Sequence, residues 1–267
     1  GELKQRLASL NGTLNRRMHA ANNLDYEDWL KSHQPFHWLA EFYQIMHGRG
    51  GFDVIIGNPP YLESRQIDYV VNNYITLDSS AVHAYCIERS LHLLNKCGNI
   101  SMIVPIAIVC TQRMVKVQEL LESNHTVWYS NYAWRPAKLF DAVNRALSIF
   151  IANKQTNINK FSTPYIKWTS ENRKTLLQLV AYTQYNTART SFWMPKLSSQ
   201  IDKSILAKLQ KFDGNVGLYI TTSSIHKVYY RTTGGLYWKV FTDFSPKYLC
   251  DGVAGKSSRE TSISISS

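Results

Sequence analysis

Four consecutive residues, Asn58-Pro59-Pro60-Tyr61, put an amide oxygen, a stiff main-chain carbonyl and a flat ring within one turn. An amino group on an aromatic ring, or a carboxamide nitrogen, is a poor nucleophile because its lone pair is conjugated. Two acceptors aimed at its hydrogens draw the nitrogen towards a tetrahedral shape and localise that pair. The Asn58 side-chain oxygen and the Pro59 carbonyl are candidates for those acceptors. Successive prolines fix φ at both positions and hold the carbonyl still, a form of preorganisation. Tyr61 offers a face on which a planar group can stack. A nitrogen activated in this way needs no prior deprotonation if its target is as electrophilic as a methyl sulfonium. The plainer explanation, a proline turn with Tyr61 as packing, is outweighed by the residues that precede it.

Those residues are Phe52-Asp53-Val54-Ile55-Ile56-Gly57, a short β-branched run that fits a buried strand of a parallel sheet. The turn therefore lies at a strand's carboxyl end, where open α/β sheets place their ligands. Asp53 reads as a strand-entry residue. Further on, residues 81–95 predict a helix closing at Gly98, residues 100–104 a strand ended by Pro105, and residues 111–122 a helix. Strands are expected at 126–132 and 146–152. This alternation argues for an α/β sheet with crossover helices. Upstream, the leucines at 3, 7, 10 and 14 mark a helix over 3–21 that Asn11-Gly12 could break, and 36–46 reads as a second helix. His33, His37 and Glu41 sit four apart, but Pro35 disrupts the single helix that would align them on a metal. Downstream, 155–163 reads as loop, 170–182 and 198–212 as helices, and 216–220 and 227–231 as strands. Gly234-Gly235 suggests a hairpin into 236–241, and 255–267 is serine-rich and featureless.

Composition sets the class. In 267 residues, 44% are hydrophobic and 18% charged, so disordered and collagen-like classes drop out. The longest apolar stretch, 100–110, is too short to span a bilayer, and no signal layout opens the chain. A cytoplasmic protein with no membrane partner is expected. The four cysteines, Cys86, Cys97, Cys110 and Cys250, have no zinc-like spacing and read as free, mostly buried thiols. The net charge is +11, and it is lopsided: +1 up to Phe150 and +10 after it. That asymmetry suggests a near-neutral chemical half followed by one that meets a polyanion.

The run Phe-Asp-x-Ile-Ile-Gly-Asn-Pro-Pro-Tyr resembles the catalytic motif of S-adenosylmethionine-dependent, adenine-specific DNA methyltransferases. It is most similar to the large methylase proteins of bacterial restriction-modification systems. Ile87-Glu88-Arg89-Ser90-Leu91 and Gly98-Asn99-Ile100-Ser101-Met102-Ile103-Val104-Pro105 look like the helix and strand that follow in that family. Arg135-Pro136-x-Lys138-Leu139-Phe140-Asp141 is similar to a later motif whose aromatic residue helps sandwich a flipped base. The resemblance covers residues 36–154, and less closely the remainder to 248. It implies an incomplete Rossmann-like methyltransferase sheet over 36–154, after a helical lead-in over 1–35. A basic linker and the start of an α+β DNA-recognition region would occupy 155–267. It implies that Asn58 and Pro59 accept the hydrogens of the target amine, and that Tyr61 and Phe140 hold the base. Asn58 and Pro60 would border the cofactor, S-adenosylmethionine. Duplex DNA is the implied partner, with other restriction-modification subunits as further ones.

The sequence departs from the family in three places. No glycine-rich loop follows a strand upstream of Asn58, so the chain is expected to be an internal piece of a longer protein, lacking the first half of a cofactor site. Cys86 stands where the family often has an aromatic residue, and no nuclease pattern is visible. Methyltransferases acting on protein glutamine or ribosomal RNA carry a similar motif, and a non-catalytic nucleic-acid-binding fragment is the remaining alternative. The basic second half favours nucleic acid, with Lys196, Lys203, Lys208, Lys227 and Arg231 as candidate phosphate contacts.

Overall fold

The computed structural model describes residues 1–154, 158–185, 194–231, 241–255 and 260–266. The chain forms two compact units, residues 1–203 and 204–267.

The first unit is built on a six-stranded sheet in the order β1-β2-β4-β3-β5-β6. Its strands are β1 (Phe52–Gly57), β2 (Leu94–Pro105), β3 (Thr126–Tyr132), β4 (Leu147–Asn153), β5 (Lys160–Ile166) and β6 (Thr183–Gln184). The four strands expected from the sequence before residue 153 thus share one sheet. β1 runs parallel to β2 and β3 parallel to β5, while β4 lies antiparallel between β2 and β3. The carboxyl ends of β1, β2, β3 and β5 consequently open on one edge of the sheet.

Two helices, α4 (Val82–Leu93) and α5 (Val115–Ser123), cover one face. Ile87, Val117 and Leu121 pack there against Ile100, Met102, Val104, Val127, Tyr129 and Phe150, all buried. Full burial of such side chains contributes roughly 1.5–3 kcal/mol each. On the opposite face Tyr132, Ile166, Trp168 and Leu176 form a smaller cluster with Ile149. The lead-in helices are α1 (Glu2–His19), α2 (Tyr26–His33) and the single turn α3 (Trp38–Glu41).

Several local expectations are corrected. Asn11-Gly12 does not break α1; Asn11 Nδ2 donates to Glu41 at 2.6 Å and Asn15 meets His37 at 2.7 Å, tying the helix to its neighbours. His37 and Glu41 are thus engaged in packing α1, and His33 stacks on Trp29. The expected helix over 36–46 is only α3 and a π turn at Gln44–Gly48, because Phe36, Trp38, Phe42 and Phe52 pack edge to face and break its continuity. The loop expected at 155–163 is a strand from Lys160 onward. Its inward residues Ser162 and Thr163 are polar, but they are buried against Asn131, which donates to both and accepts from Ser148. The helix expected at 170–182 is a 3-10 helix over Ser170–Leu179. Cys97 is exposed, and Cys86 and Cys110 are only half-buried, so these thiols are not core residues.

In the second unit, after α6 (Gln200–Leu209), which crosses the boundary, come β7 (Ile220–Thr221), β8 (Lys227–Arg231), β9 (Phe241–Thr242), β10 (Tyr248–Cys250), β11 (Val253–Gly255) and β12 (Glu260–Ile265). A four-stranded sheet has the order β7-β12-β8-β9, and β10 and β11 form a hairpin. Most of 216–220 is a 3-10 turn, not a strand, because the Leu218 N–H closes back on Asn215. The serine-rich tail is the central β12: its isoleucines at 263 and 265 alternate with serines, giving a strand period. The Gly234-Gly235 hairpin lies outside the described residues.

Candidate active site

β1 is positioned by what enters it. Gly51 has φ +130°, and a Cβ there would lie 2.5 Å from the Leu93 carbonyl oxygen, so only glycine lets the chain pass the end of α4. Asp53 accepts from Asn95 Nδ2 at 2.6 Å and pairs with Arg49 at 3.1 Å, which fits its assignment to strand entry. The strand ends at Gly57, and Asn58 follows, exposed, with Pro59 buried and Pro60 exposed.

Tyr61 is half-buried and donates its hydroxyl to the Ile103 carbonyl of β2 at 3.1 Å. Burial pushes its phenol up to about 12, against a smaller opposing effect of Arg145, so it stays a neutral donor. The chain after it pairs with the lead-in to α4: Ser64 N–H donates to Ser80 O, Val82 N–H donates to Leu62 O, both at 2.9 Å, and Glu63 bridges Ala81. A bidentate pair from Arg113 to Glu63, 2.6 and 2.9 Å, clamps the same segment to the turn before α5. The Arg113 hydrogen bond holds the Glu63 carboxyl below its ordinary range. Glu88 of α4 is 2% exposed and accepts from the Ile75 and Thr76 N–H groups and the Thr76 hydroxyl. It latches the long segment between Tyr61 and α4.

His83 and Arg145 were not singled out by sequence. His83 is 4% exposed, and neither ring nitrogen has a hydrogen-bond partner among the described residues. Burial, then Arg113, drives it down to about 4, so the imidazole is neutral near pH 7. Arg145 acts on both Tyr61 and His83, because the Ile106 N–H donates to the Ala146 carbonyl and brings the entry to β4 against the end of β2. The signal in the sequence was position: Arg145 falls between Phe140 and the expected strand.

Phe140 lies in the 133–146 segment that joins β3 to β4, on the same sheet edge as Asn58, and is 38% exposed. Among the described residues it makes no ring contact with Tyr61. Arg173 donates to the Lys138 and Leu139 carbonyls at 2.7 and 3.2 Å while stacking over Trp168, which fixes the backbone just before Phe140. Of the candidate phosphate contacts, Lys196 and Lys203 belong to the first unit and are half-buried. Lys208 and Lys227 are exposed in the second, where Arg231 ends β8.

A cavity of about 530 Å³ lies beside β1 and α4, walled by Val54, Ile56, Tyr69, Tyr74, Tyr85 and Cys86. The aromatic side chain that Cys86 does not supply is supplied there by its neighbours. The lining suits a flat apolar group such as a purine. No carboxylate borders it to take ribose hydroxyls, so these residues fit only the base half of an adenosyl cofactor.

A mixed sheet with helices, bearing an exposed Asn-Pro-Pro-Tyr turn where the carboxyl ends of four strands meet, places the chain among α/β proteins of the methyltransferase type. The model of the Eco57I restriction-modification methylase family matches residues 3–140, and the chain belongs to that family. No curated protein matches it. Among solved structures, it is similar to a nuclease-deletion mutant of the Type ISP restriction-modification enzyme LlaGI in complex with a DNA substrate mimic. That match has 12% identity and a TM-score of 0.45, covering 72% of this chain and 22% of that one. A DrdV–DNA complex matches at 12% identity and TM-score 0.42, over 55% and 18% of the two chains. A type I restriction-modification methyltransferase subunit from Streptococcus thermophilus matches at 13% identity and TM-score 0.34, over 62% and 33%. The chain spans about a fifth of the length of the first two. No described helix is long and apolar enough to cross a membrane.

Proposed function

We infer that the chain carries the catalytic turn of a DNA methyltransferase that modifies the exocyclic amino group of adenine in duplex DNA, within a restriction-modification system. The observation that carries this reading is the exposed Asn58 at the end of β1, on a turn stiffened by two prolines and anchored through Tyr61. Asn58 Oδ1 and the Pro59 carbonyl accept the two amine hydrogens and localise the nitrogen lone pair. Tyr61 and Phe140 take the two faces of the extruded base, whose removal from the stack costs a few kcal/mol. Bound S-adenosylmethionine supplies the methyl group as an electrophilic sulfonium. Asn58, Pro60 and the aromatic wall of the cavity beside β1 would hold its base side, and the ribose needs groups from elsewhere. Target recognition falls to the basic region after residue 154, within which β5 and β6 still belong to the first sheet.

The test is methyl incorporation into duplex DNA by the full-length protein, followed by nucleoside analysis. N6-methyladenine is expected, and Asn58→Ala should cut transfer by roughly 10²–10³-fold, as the loss of one preorganised polar group does elsewhere, with the fold intact. Methylation only of cytosine, RNA or a protein glutamine would overturn the adenine assignment, as would an active Asn58→Ala variant.

A further inference from the structure

A second cleft, about 920 Å³, opens on the same sheet edge, between the 133–146 segment and the end of β5. Its walls carry Arg135, Lys138 and Lys167 together with Trp134, Tyr165 and Asn144, and no acidic residue. Three cations converging without a carboxylate create a local positive potential that favours a polyanion. The walls are also rigid. Arg135 stacks its guanidinium on the Trp134 ring at 4.2 Å. Lys138 Nζ is held by Asn144 Oδ1 at 2.6 Å and the Asp141 carbonyl at 3.3 Å. Beneath, the buried Asn131–Thr163 contacts sit at the register shift between β3 and β5 that fixes where Tyr165 and Lys167 emerge.

The geometry points to a phosphodiester-binding site that grips the DNA backbone a few base pairs from the target base, an assignment that rests on the DNA-methyltransferase reading above. Asn58 follows β1, and the cleft follows β3 and β5, three and four strands away in the sheet. At about 4.8 Å per strand the separation is roughly 14–19 Å. One strand of duplex rises about 3.4 Å per nucleotide, so the phosphates in the cleft lie on the order of four to six base pairs from the base at Asn58. Arg135 and Tyr165 present a planar donor and a hydroxyl to phosphate oxygens, and Lys138 and Lys167 supply charge. Phe140 sits two residues from Lys138 on the same clamped segment. Backbone contact and base capture are therefore made by one piece of chain.

The test is binding of the full-length protein to a 30-base-pair duplex by fluorescence anisotropy from 50 to 300 mM salt. Arg135→Gln with Lys167→Gln is the informative double variant, because both side chains are exposed, and circular dichroism checks that the fold survives loss of the Arg135–Trp134 stack. Each lost phosphate contact should lower the slope of log K against log salt by about 0.9, so the double variant should lose nearly two, with at least ten-fold weaker binding at 100 mM salt. The Lys138→Arg variant, which keeps the charge, should bind within about two-fold of the parent. An unchanged salt slope in a folded double variant, while Asn58→Ala still abolishes transfer to DNA, would overturn the cleft and leave the methyltransferase reading standing. Absence of DNA binding and transfer in the unaltered protein would instead remove the reading on which the cleft depends.

Discussion

Replacing His83 with phenylalanine should flatten the acid sensitivity of the fold. In the native chain the imidazole is buried and lacks hydrogen-bond partners among the described residues, and it titrates near pH 4. Once unfolded it returns to about 6.5. Between those values the unfolded chain takes up a proton that the folded one refuses, so stability is full above pH 6.5 and falls as the pH drops towards 4. From pH 8 to pH 5 the loss from this one group is about 2 kcal/mol, approaching 3 kcal/mol by pH 4. Glu63, held low by Arg113, acts in the same direction, but only below the ordinary carboxylate range, which leaves pH 5–6.5 clear of it. His125 is also depressed by burial and adds a smooth background that the comparison cancels. Urea unfolding of parent and His83→Phe at pH 8 and pH 5 measures the difference directly. If both proteins lose the same stability over that interval, His83 is not a buried neutral imidazole.

Three further outcomes are expected. Glu88→Ala strands the buried Thr76 N–H and hydroxyl and the half-buried Ile75 N–H, and should cost about 1–3 kcal/mol in chemical denaturation, with Glu88→Gln retaining part of the latch. Gly51→Ala forces a side chain against the Leu93 carbonyl at positive φ and should destabilise by about 1–3 kcal/mol, read as a lowered melting temperature. Tyr61→Phe removes only the bond to Ile103, costing about 1 kcal/mol while keeping most methyl transfer, whereas Tyr61→Ala should lose transfer as well.

The elements nearest the Asn-Pro-Pro-Tyr turn were the most legible. β3 and β4 announce themselves by β-branched and aromatic runs, and α4 by its apolar spacing, because each buries a face against its neighbours. β1 lies where its β-branched run predicts, but it is an edge strand with Val54 and Ile56 exposed rather than the buried strand expected, and Ile55 is its residue packed against the core. β5 was missed since its buried positions include Ser162 and Thr163, whose burial is helped by hydrogen bonds to Asn131, 31 and 32 positions away. β12 was hidden in the same way by serine. Polarity in a single segment says nothing about a partner supplied from elsewhere. For the candidate site, Asn58, Pro59 and Tyr61 are candidates that a local motif proposes, whereas His83 and Arg145 enter only when the antiparallel pairing after Tyr61 and the entry to β4 are seen in space.

β1 lies at the border of its sheet, bonded to β2 alone, with Val54 56% and Ile56 79% exposed. Every second amide along it therefore faces away from the ladder and, among the described residues, meets no main-chain acceptor. Deuterium should replace those protons in the native protein without any unfolding, while the amides of β3 and β4 wait for global opening. The turn that carries Asn58 is thus fastened by one seam rather than two. Any stretch of polypeptide that zipped onto the open side would stiffen that turn without touching it, turning a question of sheet width into one of how firmly Asn58 is held.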